Sequence, residues 1–386
     1  MPNSLAGRIK EAADQLGFDL VGITDVRASE NGRFYEEWLA AGRHGEMHYL
    51  GRPDAVERRL RPPAQFKSAV VVGLNYFPGD DPAEAGSGKI ARYARGRDYH
   101  KVIKSKLLSL LRFVETETGR PLPTSRAYVD TGPVLERELA QRAGLGWYGR
   151  NTMLINLKRG SYFFLGTLLL ELDLDCDAPF DTDHCGSCSA CVQACPTGAL
   201  LGRDERGAPV IDASRCISYL TIELRGAIPR ELRPLIGDRI FGCDICQEVC
   251  PWNSSKFVQI TREKDFVSRE DAKGAKGAKQ LVALMTMSEA EWDEFSRGSA
   301  IRRAKRAGFL RNVAVALGNS GGEEAVPALA HALAGEDALV REHAAWALGR
   351  IATENARAAL RQHRPQEQDS AVIAEIEEVL ADGNVT

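Results

Sequence analysis

Eight of the nine cysteines lie between Cys185 and Cys250, at spacings that suit iron. In CGSCSACVQACP, two residues separate Cys185 from Cys188 and Cys188 from Cys191, and three separate Cys191 from Cys195, ahead of Pro196. A bacterial ferredoxin wraps a 4Fe-4S cubane with such a loop: the first three thiolates take one cluster and the fourth, displaced by a turn, ligates the other. A second set follows, Cys216 and then Cys243, Cys246 and Cys250 before Pro251. The same rule assigns Cys185, Cys188, Cys191 and Cys250 to one cluster, and Cys195, Cys216, Cys243 and Cys246 to the other. Cys-x2-Cys pairs also suit tetrahedral zinc, but zinc explains neither the crowding of the first run nor the two Cys-Pro endings. Cys176 is left over as a thiol without a role. Two clusters alone would make a ferredoxin, so the residues ahead of them should hold the site where the electrons do chemistry.

Within those residues, Tyr128-Val-Asp130-Thr-Gly-Pro133 sets an acid where a strand ends and a helix begins. Asp and Thr beside Pro cap helices well; alternatively Asp130 is a catalytic acid whose pKa is raised by desolvation. The local residues leave both readings open. Gly144-Leu-Gly146-Trp-Tyr-Gly149 matches the dinucleotide fingerprint, but a helical pattern precedes it and a strand-like run follows. The order is wrong for a nucleotide site, which leaves a Gly-rich helix stop.

The elements that must position these residues read as an α+β, α/β-like domain over 1–174, a ferredoxin-like domain over 175–255, and a connector with a helical repeat over 256–386. DLVGIT and Ala69 to Tyr76 have the pattern of strands, Tyr99 to Glu117 that of an amphipathic helix, and Pro133 to Ala143 that of a second helix with Pro in its first turn. The sequence does not settle which strands pair. Lys/Gly-rich DAKGAKGAKQ at 271–280 reads as a linker. Leu317-Gly318 recurs 31 residues later as Leu348-Gly349 within similar helical runs, a HEAT-like repeat whose two copies need further packing, expected on the Cys-rich domain.

Composition places the chain among soluble globular proteins of a reducing compartment, here expected to be the cytoplasm, with no membrane partner. The longest apolar stretch, Tyr162 to Leu170, is far short of a membrane span. A net charge of −3 argues against a nucleic-acid partner only if it is evenly spread. It is not: residues 86–112 carry +7 and 297–311 carry +6, which leaves −16 elsewhere.

RYARGRDYHKVIKSKL, YVDTGPVLERELAQRAGLGWYGRNTMLIN, the paired cysteine motifs with RCISYLT between them, and the terminal repeat together resemble the epoxyqueuosine reductases over nearly the whole chain. Arg150 departs from them, since GKN is more usual there than GRN. The resemblance implies a cobalamin-dependent iron–sulfur enzyme that reduces epoxyqueuosine at the wobble position of tRNAs with GUN anticodons (Asp, Asn, His, Tyr). It implies a low-potential electron donor, and the chain is expected to be a monomer. Asp130 becomes the general acid on the epoxide oxygen. Cobalamin is expected against Arg59, Ala91, Asp130, Leu154, Leu165, Ser218, Cys243 and Asp244. No D-x-H-x-x-G tract is present, and His184 beside Asp183 lacks its spacing, so the cobalamin is expected base-off with no protein histidine on cobalt. The tRNA is expected on Arg225, Arg302, Arg303, Lys305, Arg306 and Arg311. Two other classes remain: a corrinoid reductase of a small molecule, which has no need of the basic repeat, and a non-enzymatic electron carrier, which has no need of the front domain.

Overall fold

The computed structural model describes residues 4–79, 88–267 and 281–382; the connector expected at 271–280 lies outside them. Contacts divide the chain into two compact units. The first comprises described residues 4–79, 96–213 and 244–267, the second 88–95, 214–243 and 281–382. These interleave where consecutive blocks were expected, because segment 214–243 packs with the C-terminal helices.

The first unit is built on an antiparallel sheet of β1 (Leu20–Asp25), β2 (Ser68–Asn75), β3 (Arg126–Tyr128) and β4 (Phe163–Leu170), in the order β1-β2-β4-β3. Every residue of β2 is buried. Its run SAVVVGLN therefore lacks the alternation of a strand with one wet face. Helices α1 (Leu5–Gln15), α2 (Tyr99–Thr118) and α3 (Glu136–Arg142) pack on this sheet. Ala69, Val71, Phe163 and Leu169 form one core with Leu139 and Ala140 of α3. Against the opposite parity of strand residues α2 comes so close that a Cβ on Gly166 would stand 2.8 Å from Ile103 Cγ2. Gly166 thus lets α2 lie on β4, and Asp98 caps the start of α2 by accepting the His100 N–H.

The helix expected from Pro133 begins three residues later, at Glu136. The chain between turns over the Tyr128 ring, where a Cβ on Gly132 would fall 2.3 Å from Tyr128 Cγ. VDTGP is therefore a turn that precedes the helix. Leu135 stands at the cap position with no side-chain bond, so Asp130 is not the N-cap. The Gly144–Gly149 stretch runs from α3 into Trp147–Tyr148, which pairs with Leu154–Ile155, and no helix follows it.

In the second unit, α4 (Lys305–Ser320), α5 (Val326–Leu333), α6 (Ala338–Ile351), α7 (Glu354–His363) and α8 (Ser370–Asp382) form the repeat. The two recurring glycines sit at its tightest contacts. A Cβ on Gly318 would lie 2.8 Å from Ala347 Cα of α6, and one on Gly349 would lie 2.4 Å from Val379 Cγ1 of α8. The other side of α4 covers the helix Ile217–Ile222 and the strand Arg239–Phe241, the packing that a short repeat needs. Among the described residues, no helix is long and apolar enough to cross a membrane.

Candidate functional site

Asp130 follows β3 in a tight turn closed by Thr131 N–H to Val129 O at 2.6 Å, with Asp130 at φ +60°. That region costs a residue with a Cβ about 1–3 kcal/mol and persists only when neighbours over-determine it. Tyr99 Oη donates to Asp130 Oδ2 at 2.9 Å, His100 Nε2 stands 3.8 Å from the same oxygen, and the Asp130 N–H donates to Glu136 Oε1 at 2.9 Å. On its other side, His100 Nδ1 meets Asp98 Oδ1 at 2.7 Å. The Tyr99 ring is fixed by stacking on Phe164 of β4, 4.1 Å between centroids, and Phe164 in turn packs on Phe266. The Asp130 side chain nonetheless remains 68% exposed, so it presents its carboxylate outward from a rigid base.

Charge in this group is tightly coupled. His100 beside it holds the Asp130 carboxyl below the usual carboxylate range, against the burial that would raise it and with help from Tyr99 and Arg137. Burial opposes the charge on His100, but Asp130 and Asp98 raise it to about 9. Burial and the Asp130 charge push Glu136 up to about 8. At neutral pH, then, His100 carries a proton, Asp130 is ionised and Glu136 is neutral. The expectation of an Asp130 pKa raised by desolvation is reversed, because the bond and charge of His100 outweigh the burial that would raise it. Asp98, Tyr99, His100 and Glu136 were not singled out as site residues. The available signal was the D-Y-H run opening α2; its closeness to Asp130 arises only in three dimensions.

The thiols expected to hold the first cluster come together within the first unit. Burial pushes the Cys250 thiol up, and Cys185, Cys191 and Cys188 are the acidic neighbours that raise it further. Residues 65 positions apart in sequence are thus near enough to feel one another's charge, and a set of four thiols is the donor chemistry of a cubane. Arg150 donates to Gly186 O at 2.7 Å, so the longer side chain at the GRN position pins the loop between Cys185 and Cys188. Of the second set, Cys195 and Cys246 belong to the first unit and Cys216 and Cys243 to the second. Cys176 is exposed.

The residues expected against cobalamin fall into two kinds. Arg59, Leu165, Ser218 and Cys243 are half-buried and have side-chain surface to offer. Ala91, Leu154 and Asp244 are buried, Leu154 inside the core against α3, which leaves them little but backbone. The basic residues also divide. Arg225, Arg302, Arg303 and Lys305 are exposed, and the Arg225 guanidinium donates to Arg303 O, which gathers them on one surface of the second unit. Arg306 is half-buried and donates to Met287 O. Arg311 cannot be a tRNA contact as expected: it is 1% exposed, and its guanidinium donates to Leu220 O, Leu224 O, Gly226 O and Asn312 Oδ1. The sequence charge counts are reduced in space, since Asp293 pairs with Arg302, Glu223 with Arg303, Glu263 with Lys106 and Asp265 with Arg97.

Known proteins agree with this arrangement. The family model "Epoxyqueuosine reductase QueG, DUF1730" matches residues 59–131, a 4Fe-4S double cluster binding domain matches 184–253, and HEAT repeats match 298–381. The chain is 44% identical over 361 residues to an epoxyqueuosine reductase of Pseudomonas aeruginosa, covering 90% of this chain and 95% of the relative. An epoxyqueuosine reductase solved with an epoxyqueuosine-modified tRNA-Tyr stem loop superposes with a TM-score of 0.85 at 29% identity, covering 98% of each chain. Another, from Bacillus subtilis, was solved with its catalytic aspartate loop swung out of the active site; it gives a TM-score of 0.84 at 29% identity, covering 97% of each chain. With this identity sustained over nine-tenths of its length, the chain belongs to the epoxyqueuosine reductase family.

Proposed function

We propose that the chain reduces the epoxide of epoxyqueuosine to the alkene of queuosine at the wobble position of tRNAs with GUN anticodons, in the cytoplasm and as a monomer. The observation that carries this reading is an exposed carboxylate backed by Tyr99 and His100, in a chain of this family. Deoxygenation of an epoxide consumes two electrons and two protons and releases water. The ligand sets Cys185, Cys188, Cys191, Cys250 and Cys195, Cys216, Cys243, Cys246 would hold two clusters fed by a low-potential donor. Cobalamin, held by Arg59, Asp130, Leu165, Ser218 and Cys243 and by the backbone of Ala91, Leu154 and Asp244, would supply a strongly reducing metal centre with no protein histidine beneath it.

The residues of the chain manage the first of these protons, and solvent supplies the second. His100 stores one at Nε2, next to Asp130 Oδ2. Once that proton shifts to Oδ2, Asp130 is an O–H donor aimed outward at the oxygen that must leave, while Asp98 steadies the imidazole from behind. Tyr99 holds Oδ2 in place and shares its phenolic proton with it. Substrate binding that displaces solvent from Asp130 favours the neutral acid, so the proton moves when it is needed. The exposed group Arg225, Arg302, Arg303 and Lys305 would take tRNA phosphates, with Arg306 at its margin. A pure electron carrier has no use for such an acid.

The test is conversion of epoxyqueuosine-containing tRNA by reduced, cobalamin-loaded protein, read by nucleoside mass spectrometry. Wild type converts, and Asp130→Asn falls by roughly 100-fold or more. No conversion, with Asp130→Asn indistinguishable from wild type, overturns the reading. Nitrogen superhyperfine splitting in the cobalt(II) resonance spectrum would overturn the base-off assignment.

A further inference from the structure

Glu136 takes no part in the proton chemistry above, yet it touches the catalytic turn. Asp130 sits at φ +60°, and two kinds of bond hold it. Those to its carboxylate, from Tyr99 and His100, are rearranged whenever a proton or substrate arrives. The bond from its main-chain N–H to Glu136 Oε1 is not. Glu136 opens α3, whose Leu139 and Ala140 are packed in the sheet core, so its backbone is a fixed post beside a turn that favours another conformation.

Resting on the role given to Asp130 above, we infer that Glu136 is a positioning residue, a latch that holds the Asp130 turn in place through the main chain. The groups that face it are Asp130, Arg137 and His100. Arg137 is itself engaged, donating to Thr152 O at 2.6 Å. With the Glu136 carboxyl at about 8, the latch is neutral under ordinary conditions. A glutamine offers the same neutral acceptor without the titration.

The experiment uses the full-length, cofactor-loaded enzyme with Glu136→Ala and Glu136→Gln. Three quantities are read: kcat against KM for tRNA, the pH profile of kcat, and amide hydrogen exchange of the segment spanning 129–133. In Glu136→Ala, kcat should fall at least about tenfold with KM within about twofold, and the Asp130 amide should exchange roughly 5- to 10-fold faster, the worth of one hydrogen bond. Glu136→Gln should recover most of kcat, keep the slow exchange, and move the alkaline limb from about 8 toward that of His100, at about 9. Unchanged kcat or unchanged exchange in Glu136→Ala overturns the latch. So does Glu136→Gln as impaired as Glu136→Ala with exchange still slow, because the proton of Glu136 would then be consumed in the reaction. If wild type converts no epoxyqueuosine, the functional reading fails while the exchange data still decide the latch. Should Glu136→Ala not fold, the near-isosteric Glu136→Gln and its pH profile carry the test.

Discussion

Replacing Arg311 with Met separates the structural cations of the repeat from those exposed on its surface. Its guanidinium, buried at 1% exposure, serves the carbonyls of Leu220, Leu224 and Gly226 and the amide oxygen of Asn312. Methionine fills much of the volume but donates nothing, leaving the Leu220 and Leu224 carbonyls and the Asn312 amide oxygen without their donor, while the carbonyl of exposed Gly226 can turn to water. An unsatisfied buried acceptor costs about 1–3 kcal/mol, and partial relaxation brings the sum to about 3–5 kcal/mol. At roughly 2–4 °C per kcal/mol for a unit of this size, the midpoint of unfolding should drop by about 10 °C. Calorimetry at fixed scan rate measures the drop. Filter binding of tRNA across a salt series, well below the midpoint, should show an affinity and a salt slope close to wild type. Loss of tRNA affinity with an unchanged midpoint would refute the reasoning and return Arg311 to the binding surface.

Reversing charge at Arg302, Arg303 and Lys305 together should do the opposite: leave the midpoint within about 2 °C and reduce the salt slope of tRNA binding by about 1 per lost phosphate contact; an unchanged slope removes them from the interface. Glu367, only 3% exposed, is opposed by burial, but bonds from Arg341, the Asp369 N–H and His363 hold it at about 2. Its contribution, about 3 kcal/mol, is complete above the ordinary glutamate range and is lost as pH falls from about 5 through 2, so the stability gap between wild type and Glu367→Gln should close over that window in acid titrations; a gap constant with pH would count against it. Cys250→Ser should reduce the iron content of anaerobically purified protein by about half, from two clusters to one, and full iron retention would break the ligand assignment.

Much of this was legible along the chain, and the exceptions share a cause. Cysteine spacing reveals ligands because a cubane fixes local geometry within a single loop, and the repeated Leu-Gly marks the helical contacts because close approach demands a missing side chain at each copy. The fully buried β2 could be recognised as a strand but not assigned its neighbours, since a run with no polar face carries no register signal. Pro133 pointed to a helix start three residues early, because proline serves turns and first helical turns alike. The Asp98, Tyr99 and His100 group was missed, and Arg311 misplaced, for one reason. Whether a charged side chain meets water, an acid or a row of carbonyls is decided by segments about 30 to 90 residues away.

Gly318 and Gly349 bring α4, α6 and α8 together with no side chain of their own between them to give. A surface mounted on such a stack moves as one body. Arg302, Arg303 and Lys305 stand at the foot of α4, so their backbone is carried by that stack. A partner meeting them meets a ruler rather than a hand. Selection on such a surface falls on the curvature that the partner brings, and a flexible polyanion of equal charge, which must first be bent to the ruler, is the one turned away.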